Sequence, residues 1–189
     1  AVTGVQTCAL PIYALDNNIV LTLPELKDII VSSVNNLNPY LTGFKTNVAG
    51  GTLNLASYNN KMGTGLIDAY RVLMAVRGTK CIPIPVGEEV MINISSYIGD
   101  GTNDKIKMLE SEISEEVIEA LGIENIKWMG GKLMLTCTKP GSALVTLKYV
   151  AGGTNVGGGQ ITGGMATEQE FAFVARYGVS YDEGTLEPN

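Results

Sequence analysis

The sequence predicts an α+β fold in which two helices precede an antiparallel β-sandwich of immunoglobulin-like type. The first observation behind this is a change of hydrophobic period, which is helical from Tyr13 to Arg77 and becomes two from Lys80 to Tyr177. The second is a series of Gly-rich turn signals that cuts the later stretch into short strands, about one hundred residues in all, as such a sandwich requires. The expected organisation is a non-native leader at 1–12, a helical region at 13–77, the sandwich at 79–177 and a tail at 178–189.

The first helix is signalled by Thr22 and Glu25, a T-x-x-E capping box in which each side chain satisfies a backbone N–H at the helix start. Pro24 is tolerated in that first turn. Leu23, Leu26, Ile29, Ile30, Val34 and Leu37 recur at three- and four-residue spacing, making one apolar stripe that must lie against something. Asn38-Pro39 ends the pattern, and Thr42 to Thr52 reads as a loop. A second helix carries Leu66, Ala69, Tyr70, Leu73 and Val76, entered through Gly63-Thr64-Gly65 and left at Gly78.

Beyond it the strands alternate. Val90, Ile92 and Ile94 face away from Met91, Asn93 and Ser95; Leu133, Leu135 and Cys137 face away from Lys132, Met134 and Thr136. Val145, Leu147 and Tyr149 repeat the pattern, as do Phe171, Phe173 and Ala175. Turns fall at Gly99-Asp100-Gly101, Gly130-Gly131, Lys139-Pro140-Gly141 and through Gly152 to Gly164, with a short helix over Ser114 to Leu121. Pro83 and Pro85 mark a linker or an edge strand, since proline cannot donate to a central ladder.

Composition narrows the function. A length of 189 residues with 45% hydrophobic and 17% charged suits one globular domain, or one and a piece of another. A net charge of −6 with basic residues scattered singly argues against nucleic acid, which needs clustered Lys and Arg. No aliphatic run approaches the roughly 20 residues of a transmembrane segment. The chain has no His, which removes every Ser-His and Cys-His nucleophile pair and the commonest metal ligand. Gly63-Thr64-Gly65 has a glycine where a nucleophilic serine would have to stand.

The remaining candidates are weaker still. Glu112, Glu115, Glu116 and Glu119 read as a solvated helix face rather than an acid/base pair. Asp100, Asn103 and Asp104 supply oxygens in a tight turn, but the EF-hand spacing and its final Glu are absent. The glycines of 152–164 lead into a strand rather than a helix N-terminus, so a phosphate cradle is not expected. Asn93-Ile94-Ser95 is a formal glycosylation triplet inside an expected strand and carries no weight. Cys81 and Cys137 are too few for a zinc cluster; buried free thiols are favoured over a disulfide between them, and the redox compartment stays open. No catalytic, cofactor or metal residue is therefore assigned.

Residues 2–12, VTGVQTCALPI, read as the conceptual translation of a sequencing adapter, with Cys8 inside it. They have neither the basic region nor the apolar core of a signal peptide. The natural sequence upstream of about Tyr13 is then expected to be missing, and the adapter-encoded segment is expected to contribute nothing to packing.

LTLPELKDIIVSSVNNLNPYLTG (Leu21 to Gly43) followed by MGTGLIDAYRVLMAV (Met62 to Val76) resembles the C-terminal end of a subtilisin-like serine peptidase catalytic domain. There a helix of pattern L-T-x-x-E-L-K-x-I-L is followed by a closing helix, G-x-G-x-I-[DN]-A-x-x-A-[LV], which Gly63, Gly65, Ile67, Asp68, Ala69 and Val72-Leu73 fit. Lys139 to Gly158 and Gly163 to Met165 are similar to the sandwich appended to some secreted bacterial members. The resemblance implies an extracellular or cell-surface endopeptidase whose Asp, His and Ser motifs lie upstream, so no catalytic role passes to any residue here. The partners implied are that upstream catalytic domain and a protein or peptide substrate. The alternative, from another class, is a non-catalytic binding or adhesion module of a bacterial surface protein. The paired helices favour the peptidase, because a binding module has no reason to carry amphipathic helices without their sheet.

Overall fold

Thr22 caps the first long helix as its spacing requires: Glu25 N donates to Thr22 Oγ1 at 3.4 Å and Thr22 N to Glu25 Oε2 at 2.7 Å. The computed structural model describes residues 10–46, 49–98, 106–151, 154–155, 161–162 and 164–177. They show an α+β protein that divides into two compact units, Ala1–Gly78 and Thr79–Asn189.

In the first unit, residues 10–16 form helix α1. Helix α2 (Leu23–Ser32), β1 (Val34–Asn35), β2 (Phe44–Thr46), β3 (Thr52–Asn54), β4 (Leu66–Ile67) and α3 (Ala69–Arg77) follow. The expected stripe is therefore cut at Ser32, short of Asn38-Pro39. Ser33 N closes the helix on Ile29 O, and Val34 and Asn35 leave to pair antiparallel with Ile67 and Leu66. Val34 is β-branched and suits the ladder better than another helical turn. Leu66 likewise belongs to β4 rather than to the second helix, which starts at Ala69 behind the N-cap Asp68 and ends at the left-handed Gly78. The expected loop at 42–52 contains β2 and contributes Thr52 to β3, its antiparallel partner.

The core of this unit is small. Leu10, Ala14, Val72 and Val76 are buried, with Leu26, Ile29, Ile30 and Leu73 among the half-buried residues packed on them. No residue of α2 is fully buried. Leu10 lies within the 1–12 segment expected to stay unpacked, yet only 3% of it is exposed. It stands one helical turn before Ala14, and an apolar residue at that spacing packs whatever the origin of its codon.

The second unit holds a four-stranded sheet, β5-β13-β10-β7, and a three-stranded sheet, β6-β9-β8. The first is built from β5 (Lys80–Pro85), β7 (Ile106–Met108), β10 (Gly141–Ala151) and β13 (Met165–Arg176); the second from β6 (Glu89–Ile92), β8 (Ile123–Met129) and β9 (Lys132–Cys137). The short pair β11 (Thr154–Asn155) and β12 (Ile161–Thr162) stands apart. β5 is an edge strand with its two prolines, and it runs parallel to β13, while the other pairs in both sheets are antiparallel. Val90, Ile92, Leu133 and Leu135 from one sheet share a single core with Ile82, Ile84, Val145, Leu147, Phe171 and Phe173 from the other.

Alternation holds in β9 and in much of β10 but fails at the end of β13, where Phe171 through Ala175 are all buried. Ala172 and Val174 are small, and the ladder sets them beside Cys81 and Pro83 of β5. β6 stops at Ile92, and Ile94 is buried instead in a 3₁₀ turn, Ile94–Tyr97. Helix α4 (Glu115–Leu121) is capped by Ser114 and ends at the left-handed Gly122. No helix among the described residues is long and apolar enough to cross a membrane.

Candidate functional site

The segment that carries the family resemblance has a distinct geometry. Gly63 and Gly65 both adopt positive φ, 67° and 137°. At Gly65 a Cβ would run into the backbone carbonyl of Asn35, so the close pairing of β4 with β1 depends on glycine there. Three residues on, Asp68 is buried, at 7% exposure, and its Oδ1 accepts from Tyr70 N at 3.1 Å and Arg71 N at 3.2 Å. Its Oδ2 accepts from Asn35 Nδ2 at 3.4 Å. Arg71 Nη1 then reaches back to Val34 O at 2.9 Å and Asn35 Oδ1 at 3.1 Å.

These bonds explain the residue types. A carboxylate at the first turn of α3 satisfies two orphan N–H groups and meets the positive end of the helix dipole. Asn35 bridges that carboxylate and the guanidinium, and so fixes β1 to the helix start. With its oxygens turned on backbone and amide donors, Asp68 holds the motif in place. No histidine exists to relay a proton.

A second feature lies in the other unit. A cleft of ≈ 260 Å³ is lined by residues 107–110, by Trp128 and by the Gly130-Gly131 turn. It sits where β7 of one sheet nears the β8–β9 hairpin of the other; a Cβ on Gly131 would stand 3.9 Å from Met108 Cβ. Trp128 is half-buried, and its Nε1 donates to Ser111 O at 3.1 Å. Ser111 is itself buried; its Oγ accepts from Lys148 N at 2.9 Å and donates to Leu109 O at 3.1 Å. Leu109 N adds a bond to Lys148 O at 2.9 Å, so the 107–110 wall is tied to β10. Sequence reasoning missed this cleft: Trp128 sits in a strand that shows no alternation, buried only at Ile123 and bulged between Glu124 and Lys127.

Glu112, Glu115, Glu116 and Glu119 are all exposed, as a solvated face should be. Among the described residues no group of three or more His, Cys, Asp or Glu could hold a metal ion. Asp100, Asn103 and Asp104 lie outside the described residues, as does most of the Gly-rich 152–164 stretch. Neither Cys81, which is half-buried, nor Cys137, which is fully buried, is in a disulfide. Burial pushes the Cys137 thiol up to about 11, so it carries little thiolate near neutral pH. No protein-family model, curated protein or solved structure matches this chain.

Proposed function

We propose that this chain is the C-terminal part of a secreted or surface-attached subtilisin-like serine endopeptidase, with residues 13–77 closing the catalytic domain and 79–177 forming an immunoglobulin-like sandwich. The triad belongs to the upstream part: a serine activated by histidine attacks the peptide carbonyl, and an aspartate orients the histidine. The chain itself is non-catalytic.

The observation that carries the reading is the apolar surface left on the first unit. Leu15, Val20, Leu23 and Leu66 are 73%, 91%, 82% and 57% exposed, and α2 buries no residue completely. Helix α2, whose apolar stripe is at most half-buried, together with the exposed Leu15, Val20 and Leu66 around it, suits a place on the face of a parallel sheet. The roles of Gly65 and Asp68 add support, because they give the G-x-G-x-I-D-A pattern a structural reason.

For the second unit, strand order supports the immunoglobulin-like assignment. Taking β6, β7, β8, β9, β10 and β13 as strands B to G puts B, E and D in one sheet and C, F and G in the other, the arrangement of that fold. The departures are that β5 lies beside the last strand and that the tryptophan stands on D rather than C.

The test is to express the chain joined to its natural upstream sequence and assay peptide cleavage. Activity abolished by a serine-directed inhibitor is the expected result. An upstream frame without Asp, His and Ser subtilase motifs, or a folded protein inert on every peptide, would overturn the proposal.

A further inference from the structure

We infer that the cleft at Trp128 is a binding site for a single neutral sugar unit, a function independent of the peptidase reading. Three features of the cleft lead there. Its volume, ≈ 260 Å³, falls just below the roughly 300 Å³ at which pockets for drug-sized ligands begin, and so suits one ring rather than an extended chain. Its aromatic wall is held in one orientation, because Trp128 Nε1 is spent on Ser111 O and Ser111 is buried against β10. With its donor engaged, the indole offers a ligand only apolar ring surface, which matches the C–H face of a pyranose.

The polar rim points the same way. Lys107 and Glu110 are both exposed and stand at one wall of the cleft, one with three N–H donors and the other with acceptor oxygens only. Their charges are opposite, so this pair by itself favours neither an anion nor a cation. A sugar hydroxyl both donates and accepts, and neighbouring hydroxyls on one ring satisfy the ammonium and the carboxylate together. An apolar side chain of a peptide would fill the same volume but leave both charged groups without ligand contacts. The Gly130-Gly131 turn adds no side chain at the mouth, and a Cβ on Gly130 would meet nothing within 4 Å.

The chain contains one tryptophan, so its fluorescence reports this cleft alone. The experiment titrates the full chain with methyl glucosides, methyl galactoside, methyl mannoside and N-acetylglucosamine, with sodium acetate, tetramethylammonium chloride and a short Phe-containing peptide as rivals. At least one sugar should give a saturable change with Kd in the millimolar range, similar at roughly 50 and 300 mM salt because no net charge is involved. Lys107→Ala and Glu110→Ala, both at exposed positions, should each weaken it roughly fivefold or more with unchanged melts. Trp128→Phe, followed by calorimetry, should weaken it too. Flat titrations with every sugar would overturn the assignment, as would saturation by acetate, tetramethylammonium or the peptide in place of sugar. Sugar binding that is unmoved by Lys107→Ala and Glu110→Ala would place the site elsewhere and overturn it equally.

Discussion

The carbonyl of Asn35 occupies the space that a Cβ on Gly65 would need. Gly63, two residues earlier, also has positive φ but nothing within 4 Å of its would-be Cβ. The pair separates steric from conformational cost. Gly63→Ala should lose about 1 kcal/mol, the penalty of left-handed backbone for an L-residue. Gly65→Ala adds a backbone collision and should lose roughly 3 kcal/mol or more, unpairing β1 from β4. Urea melts followed by the helical circular dichroism band measure both; equal losses would mean that the Asn35 contact carries no energy.

The sequence reading succeeded where one local rule decides the outcome. The capping box at Thr22, the Gly78 stop, the short helix ending at Leu121 and the alternation of β9 all involve groups within a few residues of one another. It failed where a distant partner decides. Val34 continues the helical period of α2, but Ile67, far along the chain, takes it into a ladder. Phe44–Thr46 and Thr52–Asn54 pair although every residue in them is exposed, so neither has an apolar face to announce it. The Trp128 cleft was illegible for the same reason, since its walls come from β7 and from the β8–β9 hairpin, which lie in different sheets.

Leu10 tests whether the first residues have any share in the fold. It is 3% exposed and packs with Ala14, Val72 and Val76. Leu10→Ala should therefore cost the first unit about 2 to 3 kcal/mol, the low end for a buried leucine because the cluster is small and can close on the gap. An unchanged melt would show that the leucine is not buried in solution, and would return the 1–12 segment to the inert role first expected of it.

Cys137 sets a pH limit on the second unit. Its thiol is pushed up to about 11 by burial, from an ordinary value of 9.0. Between those two pH values the unfolded chain loses its proton while the folded chain keeps it, so the unfolded state binds fewer protons and stability falls as pH rises. Stability is intact below pH 9 and should drop by up to about 2 kcal/mol on approaching pH 11. Cys137→Ala should remove that part of the pH dependence, at the cost of a small cavity. In native protein a thiol reagent should spare Cys137 and modify it only after unfolding, as peptide mapping would show; rapid native labelling would contradict its burial.

The last prediction concerns the surface left on the first unit. Leu15, Val20, Leu23 and Leu66 are each more than half exposed, and burying a side chain of this kind is worth roughly 1.5 to 3 kcal/mol. Leu15, Val20 and Leu23 follow one another closely in sequence, and apolar side chains grouped on a surface favour association as a single scattered leucine does not. The chain should therefore self-associate at micromolar concentration and bind a hydrophobic dye. Replacing Leu15, Val20 and Leu23 by Gln, Thr and Ser should suppress both while shifting stability by less than about 0.5 kcal/mol per site, because these side chains make few contacts within the unit. If the chain closes a catalytic domain as proposed, joining that domain should have the same effect with these side chains intact. Sedimentation velocity separates the cases. A monodisperse, dye-silent wild-type chain would show that the surface drives no association, and a cooperative loss of helix in the triple variant would show that these residues already serve the fold of the unit by itself.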